Sequence, residues 1–133
     1  MKRILLAYDG DEPAKRALQQ TIELATKFDA QVGVISVVPR KGGDLRPDPW
    51  DDRMVHAQEL VEARSILREH GIEVELYEPD GDVAPSIERV ADEKGYDVIV
   101  VGTRNLGTMS KVLHGSVSEH VATHAHTTVI VAR

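Results

Sequence analysis

The chain has 133 residues, of which 41% are hydrophobic and 29% charged, a balance typical of one globular domain that buries its own core. Its formal net charge of −6 repels a phosphate backbone, so general nucleic-acid binding is not expected. The chain contains no cysteine, which excludes disulfides, thiol redox chemistry and thiolate metal sites.

Hydrophobic periodicity predicts nine elements in which strands and helices alternate strictly. In chain order they are a strand over Arg3–Tyr8, a helix capped by Asp11 or Glu12 and ending near Asp29, a strand over Gln31–Val38, a helix from about Asp51 to His70, a strand over Ile72–Tyr77, a helix opened by Gly81 and Asp82 and closed by Gly95, a strand over Tyr96–Val101, a helix over Ser116–His124 and a strand over Thr127–Ala132. The first apolar run is too short for a signal peptide or a membrane span, so a cytoplasmic protein without membrane contact is predicted.

The stretch Pro39–Pro49 is predicted to be a long surface loop, either a lid or a partner contact.

This alternation predicts an α/β fold in a single domain over residues 1–133. Short connections between strands and helices favour a doubly wound, parallel five-stranded sheet with right-handed crossovers. In such a sheet, ligands bind beyond the carboxyl ends of the strands, where the strand order reverses. We expect three segments to meet there: the turn Tyr8–Gly10, the strand end Ser36–Val38, and the loop from Gly102 to Ser116.

The loop before the last predicted helix is the most informative segment. Gly102 directly follows a buried strand, and Gly115 and Ser116 open a helix. Glycines let the backbone approach a ligand, and a helix start presents unpaired N–H groups that favour anions. Arg104 and Lys111 add positive charge. The loop therefore predicts a phosphate site; the alternative is that Gly115 and Ser116 only turn the chain and cap the helix.

Asp9 and Val37 are the other two candidates at this edge. The Asp9 carboxylate, at the end of the first strand, can face ribose hydroxyls or a phosphate-bound cation. The alternative is a turn-forming residue in an Asp-Gly pair. The Val37 backbone can bind adenine through its N–H and C=O groups, whereas its side chain is an ordinary core valine.

No metal site is predicted. His120 and His124 lie four residues apart on one helix and His126 follows, a spacing that zinc can use. Metal ligands converge from several elements, however, and the sequence offers no carboxylate-rich partner segment. Histidines on the surface of the last helix are the preferred interpretation.

The chain resembles the universal stress protein family over essentially its whole length. The segments that carry the resemblance are ILLAYDG, VISVV, IEVELYEPDGDVAPSIERVADEKGYDVIVVGTR and GSVSEHVATHAHTTVIVAR. The family's nucleotide signature is G-x2-G-x9-G-[ST], which Gly102, Gly115 and Ser116 match. Asn105 occupies the second glycine position; asparagine tolerates left-handed backbone, and Gly107 is expected to supply compensating flexibility.

The resemblance implies a Rossmann-like sheet in the order 3-2-1-4-5 and a homodimer. In that family the last strand commonly pairs with its symmetry mate, which here involves Val129, Ile130, Val131 and Ala132. In ATP-binding members, the positions matching Asp9 and Gly102 hold the ribose region and the position matching Val37 contacts adenine. The positions along the phosphates correspond to Asn105, Gly115, Ser116 and Val117.

Three functions follow from these expectations. The leading hypothesis is a regulatory module that binds an adenine nucleotide, ATP with or without Mg²⁺, and acts in stress response. The alternative is a homodimeric interaction protein with a degenerate, non-binding pocket. No catalytic residues are predicted, and any ATPase activity is expected to be weak, because efficient phosphoryl transfer needs metal-binding carboxylates and a positioned nucleophile.

Overall fold

The computed structural model describes residues 1–39, 49–102 and 116–133. Its elements in chain order are β1 Arg3–Ala7, α1 Glu12–Phe28, β2 Gln31–Ile35, β3 Val38–Pro39, α2 Pro49–Glu69, β4 Val74–Tyr77, β5 Asp80–Gly81, α3 Val83–Lys94, β6 Val98–Gly102, α4 Ser116–His124 and β7 Thr128–Ala132. No helix in these ranges combines the length and the apolar character needed to cross a bilayer.

Five strands form a parallel sheet in the order β4-β2-β1-β6-β7. When only these five strands are numbered along the chain, this is the predicted order 3-2-1-4-5. The half-exposed strand β4 is one of the two outermost strands. All five strands begin at one edge of the sheet, called here the amino edge, and end at the other, the carboxyl edge. The α/β fold predicted from the alternation of elements is confirmed.

A second, two-stranded parallel sheet joins β3 to β5 and was not predicted. It divides the predicted strand Gln31–Val38 into two. The pairing nevertheless continues past β2, because the Ser36 N–H donates to the Tyr77 carbonyl at 3.0 Å and the Val38 N–H donates to the Pro79 carbonyl at 2.9 Å.

The helices cover both faces of the main sheet, as right-handed crossovers require. Helices α1 and α2 pack with one face around Ile4 and Leu6, while α3 and α4 pack with the other around Leu5. The side chains of Ile4, Leu5 and Leu6, in the middle of β1, have no exposed surface. A strand buried on both sides needs apolar residues at every position, which explains the continuous apolar run in the sequence.

Local signals fix the helix ends. Asp11 is the N-cap of α1, and its Oδ1 accepts a hydrogen bond from the Ala14 N–H at 2.9 Å; Pro13 lies in the first turn, where its missing N–H costs nothing. Of the two predicted caps, the structure therefore selects Asp11. Gly95 ends α3 with φ of 74°, a left-handed conformation that suits glycine.

Polar contacts hold the amino edge together. Asp97 accepts hydrogen bonds from the N–H groups of Lys2 at 3.0 Å and Arg3 at 3.1 Å. The Arg3 guanidinium carbon lies 4.6 Å from the centre of the Tyr96 ring. Tyr96 also links this edge to Tyr77, the last residue of β4, because their hydroxyls are 2.8 Å apart. A cavity of about 400 Å³ opens there, at the opposite end of the strands from the predicted site.

Candidate functional site

The turn after β1 carries Asp9 at the carboxyl edge. Asp9 Oδ1 accepts a hydrogen bond from the Asp11 N–H at 3.2 Å, the local geometry of an Asx turn. Gly10 follows with φ of 80°, which glycine adopts without strain. The turn-forming interpretation of Asp9 is thus confirmed, and its ribose role stays a prediction.

Gly102 ends β6 beside the first turn of α1. A Cβ atom at this position would lie 2.5 Å from the Pro13 carbonyl carbon and 2.9 Å from its Cβ. Only glycine fits so close to a helix backbone without a shift. The first glycine of the nucleotide signature therefore has a packing reason that is independent of any ligand.

Val37 and Val117 belong to one apolar cluster on the α3–α4 face. Val37 is 6% exposed, and the partly buried Ala7 and Val117 pack against the same cluster. The ends of β1 and β2 and the start of α4 therefore converge on this face. Of the predicted phosphate-loop residues, Ser116 is the first residue of α4. Five others lie outside the described residues: Arg104, Asn105, Gly107, Lys111 and Gly115.

Sequence reasoning missed a polar cluster at the same edge, formed by Ser36, His56 and Glu59. Ser36 Oγ lies 2.5 Å from His56 Nδ1, which lies 3.1 Å from Glu59 Oε1; Ser36 Oγ is 3.4 Å from the same carboxylate oxygen. Ser36 is 2% exposed, and the other two side chains are each 16% exposed. The available signal was the spacing of His56 and Glu59, one turn apart on α2.

A polar pair formed by Tyr8 and Glu62 lies beside this cluster. The Tyr8 hydroxyl donates to Glu62 Oε1 at 2.7 Å. Burial, followed by this hydrogen bond, raises the pKa of Tyr8 above its ordinary value. Burial, followed by the nearby Asp9 carboxylate, raises the pKa of Glu59 to about 7. The edge thus collects several carboxylates in a partly desolvated setting.

The geometry of the Ser36–His56–Glu59 cluster does not match nucleophilic catalysis. In a serine triad, the serine and the acid bind different nitrogens of the imidazole. Here Ser36 Oγ and Glu59 Oε1 both approach Nδ1, and the hydroxyl is buried. Within the ranges that the structure covers, no group of three or more potential ligands is arranged to hold a metal ion. The cluster can instead hold and share a proton.

The histidines of α4 contact α3 and each other. His120 Nδ1 lies 2.8 Å from Glu88 Oε2, and the His120 and His124 rings stack with centres 4.1 Å apart. In the bend after α4, His126 Nδ1 is 3.4 Å from Asp92 Oδ2 of α3. These contacts link the two helices on one face of the sheet.

Strand β7 is the other outermost strand of the main sheet, on the opposite side from β4. Val129 and Ile130 are partly buried and Ala132 is buried, whereas Val131 is 38% exposed. Ile130 packs on the α1–α2 face and Val129 on the α3–α4 face. An apolar side chain thus remains in solvent on a strand whose outer hydrogen-bonding groups have no neighbouring strand within the described chain.

Comparisons with known proteins agree with this architecture. A universal stress protein of Synechocystis is 30% identical over 90% of this chain and 78% of its own. A universal stress protein of Methanocaldococcus jannaschii is 29% identical over 99% of this chain and 82% of its own. A universal stress protein of Archaeoglobus fulgidus, solved in complex with dAMP, matches with a TM-score of 0.79 and 26% identity over 100% of this chain and 98% of that chain.

The family model extends this likeness to every element. The model described as the universal stress protein family matches residues 1–133. This range includes the Asp9 turn, the signature glycines and the two outermost strands, β4 and β7. The chain belongs to the universal stress protein family.

Proposed function

We propose that this protein is a regulatory module of the stress response that binds an adenine nucleotide, ATP with or without Mg²⁺, at the carboxyl edge of its sheet. The observation that carries the proposal is the match, along the whole chain, to a relative solved with dAMP. The position of the Asp9 turn, Val37 and the start of α4 at one edge supports it. This edge is where open parallel sheets bind ligands.

Each part of the nucleotide has a proposed partner. Asp9 and Gly102 hold the ribose region, and the Val37 backbone contacts adenine. The start of α4 supplies N–H groups and the positive end of the helix dipole to the phosphates. The proposed phosphate-side residues are Arg104, Asn105, Gly107, Gly115, Ser116 and Val117.

Calorimetric titration with ATP and Mg²⁺ tests this site. Gly115→Trp places a large side chain where the phosphates are proposed to lie, and we expect it to abolish the binding heat. Ala122→Trp is the matched control, because Ala122 is exposed on the same helix but away from its start. Wild-type protein that binds no adenine nucleotide, and carries none through purification by mass spectrometry, would contradict the proposal.

A second candidate is a homodimeric interaction protein with a non-binding pocket. The exposed Val131 on edge strand β7 favours it, since long apolar edge strands are usually covered. Pairing of Val129–Ala132 with a second copy would extend the sheet. We propose this dimer for both functions, and the binding titration distinguishes between them.

We propose at most weak ATPase activity. Phosphoryl transfer requires metal-binding carboxylates and an oriented nucleophile, and Asp9 is the one carboxylate among the proposed nucleotide-binding residues. The cytoplasmic location inferred from the sequence stays a prediction.

A further inference from the structure

We propose that Glu59 is a positioning residue of the nucleotide site. In its protonated form it stabilises the Asp9–Gly10 turn when an anionic ligand is bound, so nucleotide binding takes up a proton. The inference rests on the proposed function and adds to it a residue of α2 and a dependence on pH. It is carried by the contacts of Glu59 with that turn and with Ser36 and His56.

The first step is the hydrogen-bond geometry around His56 Nδ1. Both Ser36 Oγ and Glu59 Oε1 lie within 3.1 Å of this nitrogen. If Nδ1 has no proton, it accepts from Ser36, and Glu59 must carry a proton to avoid placing two acceptors against each other. If Nδ1 has a proton, it donates to an ionised Glu59. The cluster therefore has two arrangements that differ in where its protons lie.

The second step is the contact between Glu59 and the turn. A Cβ atom at Gly10 would lie 3.1 Å from Glu59 Oε2 and 3.3 Å from its Cγ. One carboxyl oxygen thus faces the cluster, and the other lies against the backbone that positions Asp9. Because the carboxyl lies this close to the turn, ionisation of Glu59 changes the electrostatic potential there.

The third step is the charge that faces Glu59 from each element around it. Asp9 and Asp11 lie on the β1–α1 turn, Ser36 follows β2, and His56 and Glu62 lie on α2. The three carboxylates oppose its ionisation, whereas the Ser36 hydroxyl favours it. Burial is the largest effect, and the pKa of Glu59 rises to about 7. The proton therefore exchanges close to neutral pH.

The consequence follows from linkage. Phosphates bound at the start of α4 add negative charge to the same edge, which already carries several carboxylates, and this favours the protonated form of Glu59. If the ligand raises proton affinity, protonation must strengthen ligand binding by the same factor. We expect affinity to fall by a factor on the order of three to ten from about pH 6 to about pH 8.

Calorimetry over this pH range tests the inference. ATP with saturating Mg²⁺ is the probe, because its phosphates do not titrate over the range. Titrations near pH 7 in two buffers of different ionisation enthalpy measure the protons taken up. We expect wild-type protein to take up a fraction of a proton and to bind more weakly as pH rises. Glu59→Gln should take up none and bind with the same affinity throughout.

Glu69→Gln is the matched control, since Glu69 is exposed at the end of the same helix; it should keep the wild-type pH profile. Thermal melts confirm that each variant is folded. A flat wild-type profile, or a Glu59→Gln variant that keeps the wild-type slope, overturns the inference while leaving the proposed function intact. Wild-type protein that binds at no pH refutes the proposed function and the inference together.

Discussion

At the amino edge of the main sheet, the Asp97 carboxylate accepts two backbone hydrogen bonds; at the carboxyl edge, the Glu59 carboxyl lies among other carboxylates. Burial acts to raise the pKa of Asp97, but the N–H groups of Lys2 and Arg3 outweigh it and keep that pKa below its ordinary value. Burial and Asp9 raise the pKa of Glu59 to about 7.

The contrast separates a stabilising carboxylate from one that costs stability when ionised. Asp97 ties the start of β1 to the residue before β6 and is satisfied by donors that are always present. Glu59 lies in a desolvated site with few donors and strong like charge. Groups of the second kind concentrate at functional sites, which agrees with the placement of the proposed nucleotide site.

The largest expected effect is a loss of stability, and it tests whether Gly102 is required for packing at the carboxyl edge. In Gly102→Ala the new Cβ overlaps the Pro13 backbone, and we expect a loss of about 3 kcal/mol in the free energy of unfolding. Urea denaturation measures it, with the exposed Ala122→Ser as control. Unchanged stability would mean that Gly102 serves only the ligand.

An intermediate effect is expected for Glu59→Gln. The folded pKa of Glu59, about 7, is above its ordinary 4.5, so its favourable contribution is complete below about pH 4.5 and is lost as pH rises through about 7. At pH 8 the neutral glutamine should stabilise the protein by about 2 kcal/mol. Urea denaturation between pH 5 and 8 should show wild-type stability falling relative to the variant; parallel curves would contradict the shift.

The smallest effect is expected at the amino edge. Asp97 is exposed, so Asp97→Asn should cost less than about 1 kcal/mol at pH 7. Because the pKa of Asp97 is lowered, its contribution is present at neutral pH and is lost on acidification, the opposite direction to Glu59. Denaturation curves at pH 7 and pH 3 check this, and a difference between wild type and variant that grows on acidification would contradict it.

Much of the fold could be predicted because each long element carries its own signal. The Asp11 cap, the left-handed Gly95 and the continuous apolar strand β1 all act locally, and the sequence contains them directly. The β3–β5 pairing could not be predicted, since two-residue strands have no periodicity. Their pairing depends on how the chain after β2 lies beside the chain after β4.

The site was predicted in part for a similar reason. Asp9, Val37 and Gly102 could be placed at the carboxyl edge because strand ends are recognisable in the sequence, and their ligand roles stay predictions. Glu59 and His56 were missed, since their burial depends on how α2 docks against the Asp9 turn. On the sequence alone, both are polar residues of a helix that carries many charges.

The parallel register of β7 with β6 has a practical consequence. Ala132 lies opposite Gly102, so a tag or dye attached after Arg133 emerges beside the proposed ligand edge and the exposed β7 strand. A label at Met1 instead leaves from the far end of the strands. Surface immobilisation through the amino terminus would therefore present the nucleotide-facing side to solution, whereas carboxyl-terminal attachment would crowd it.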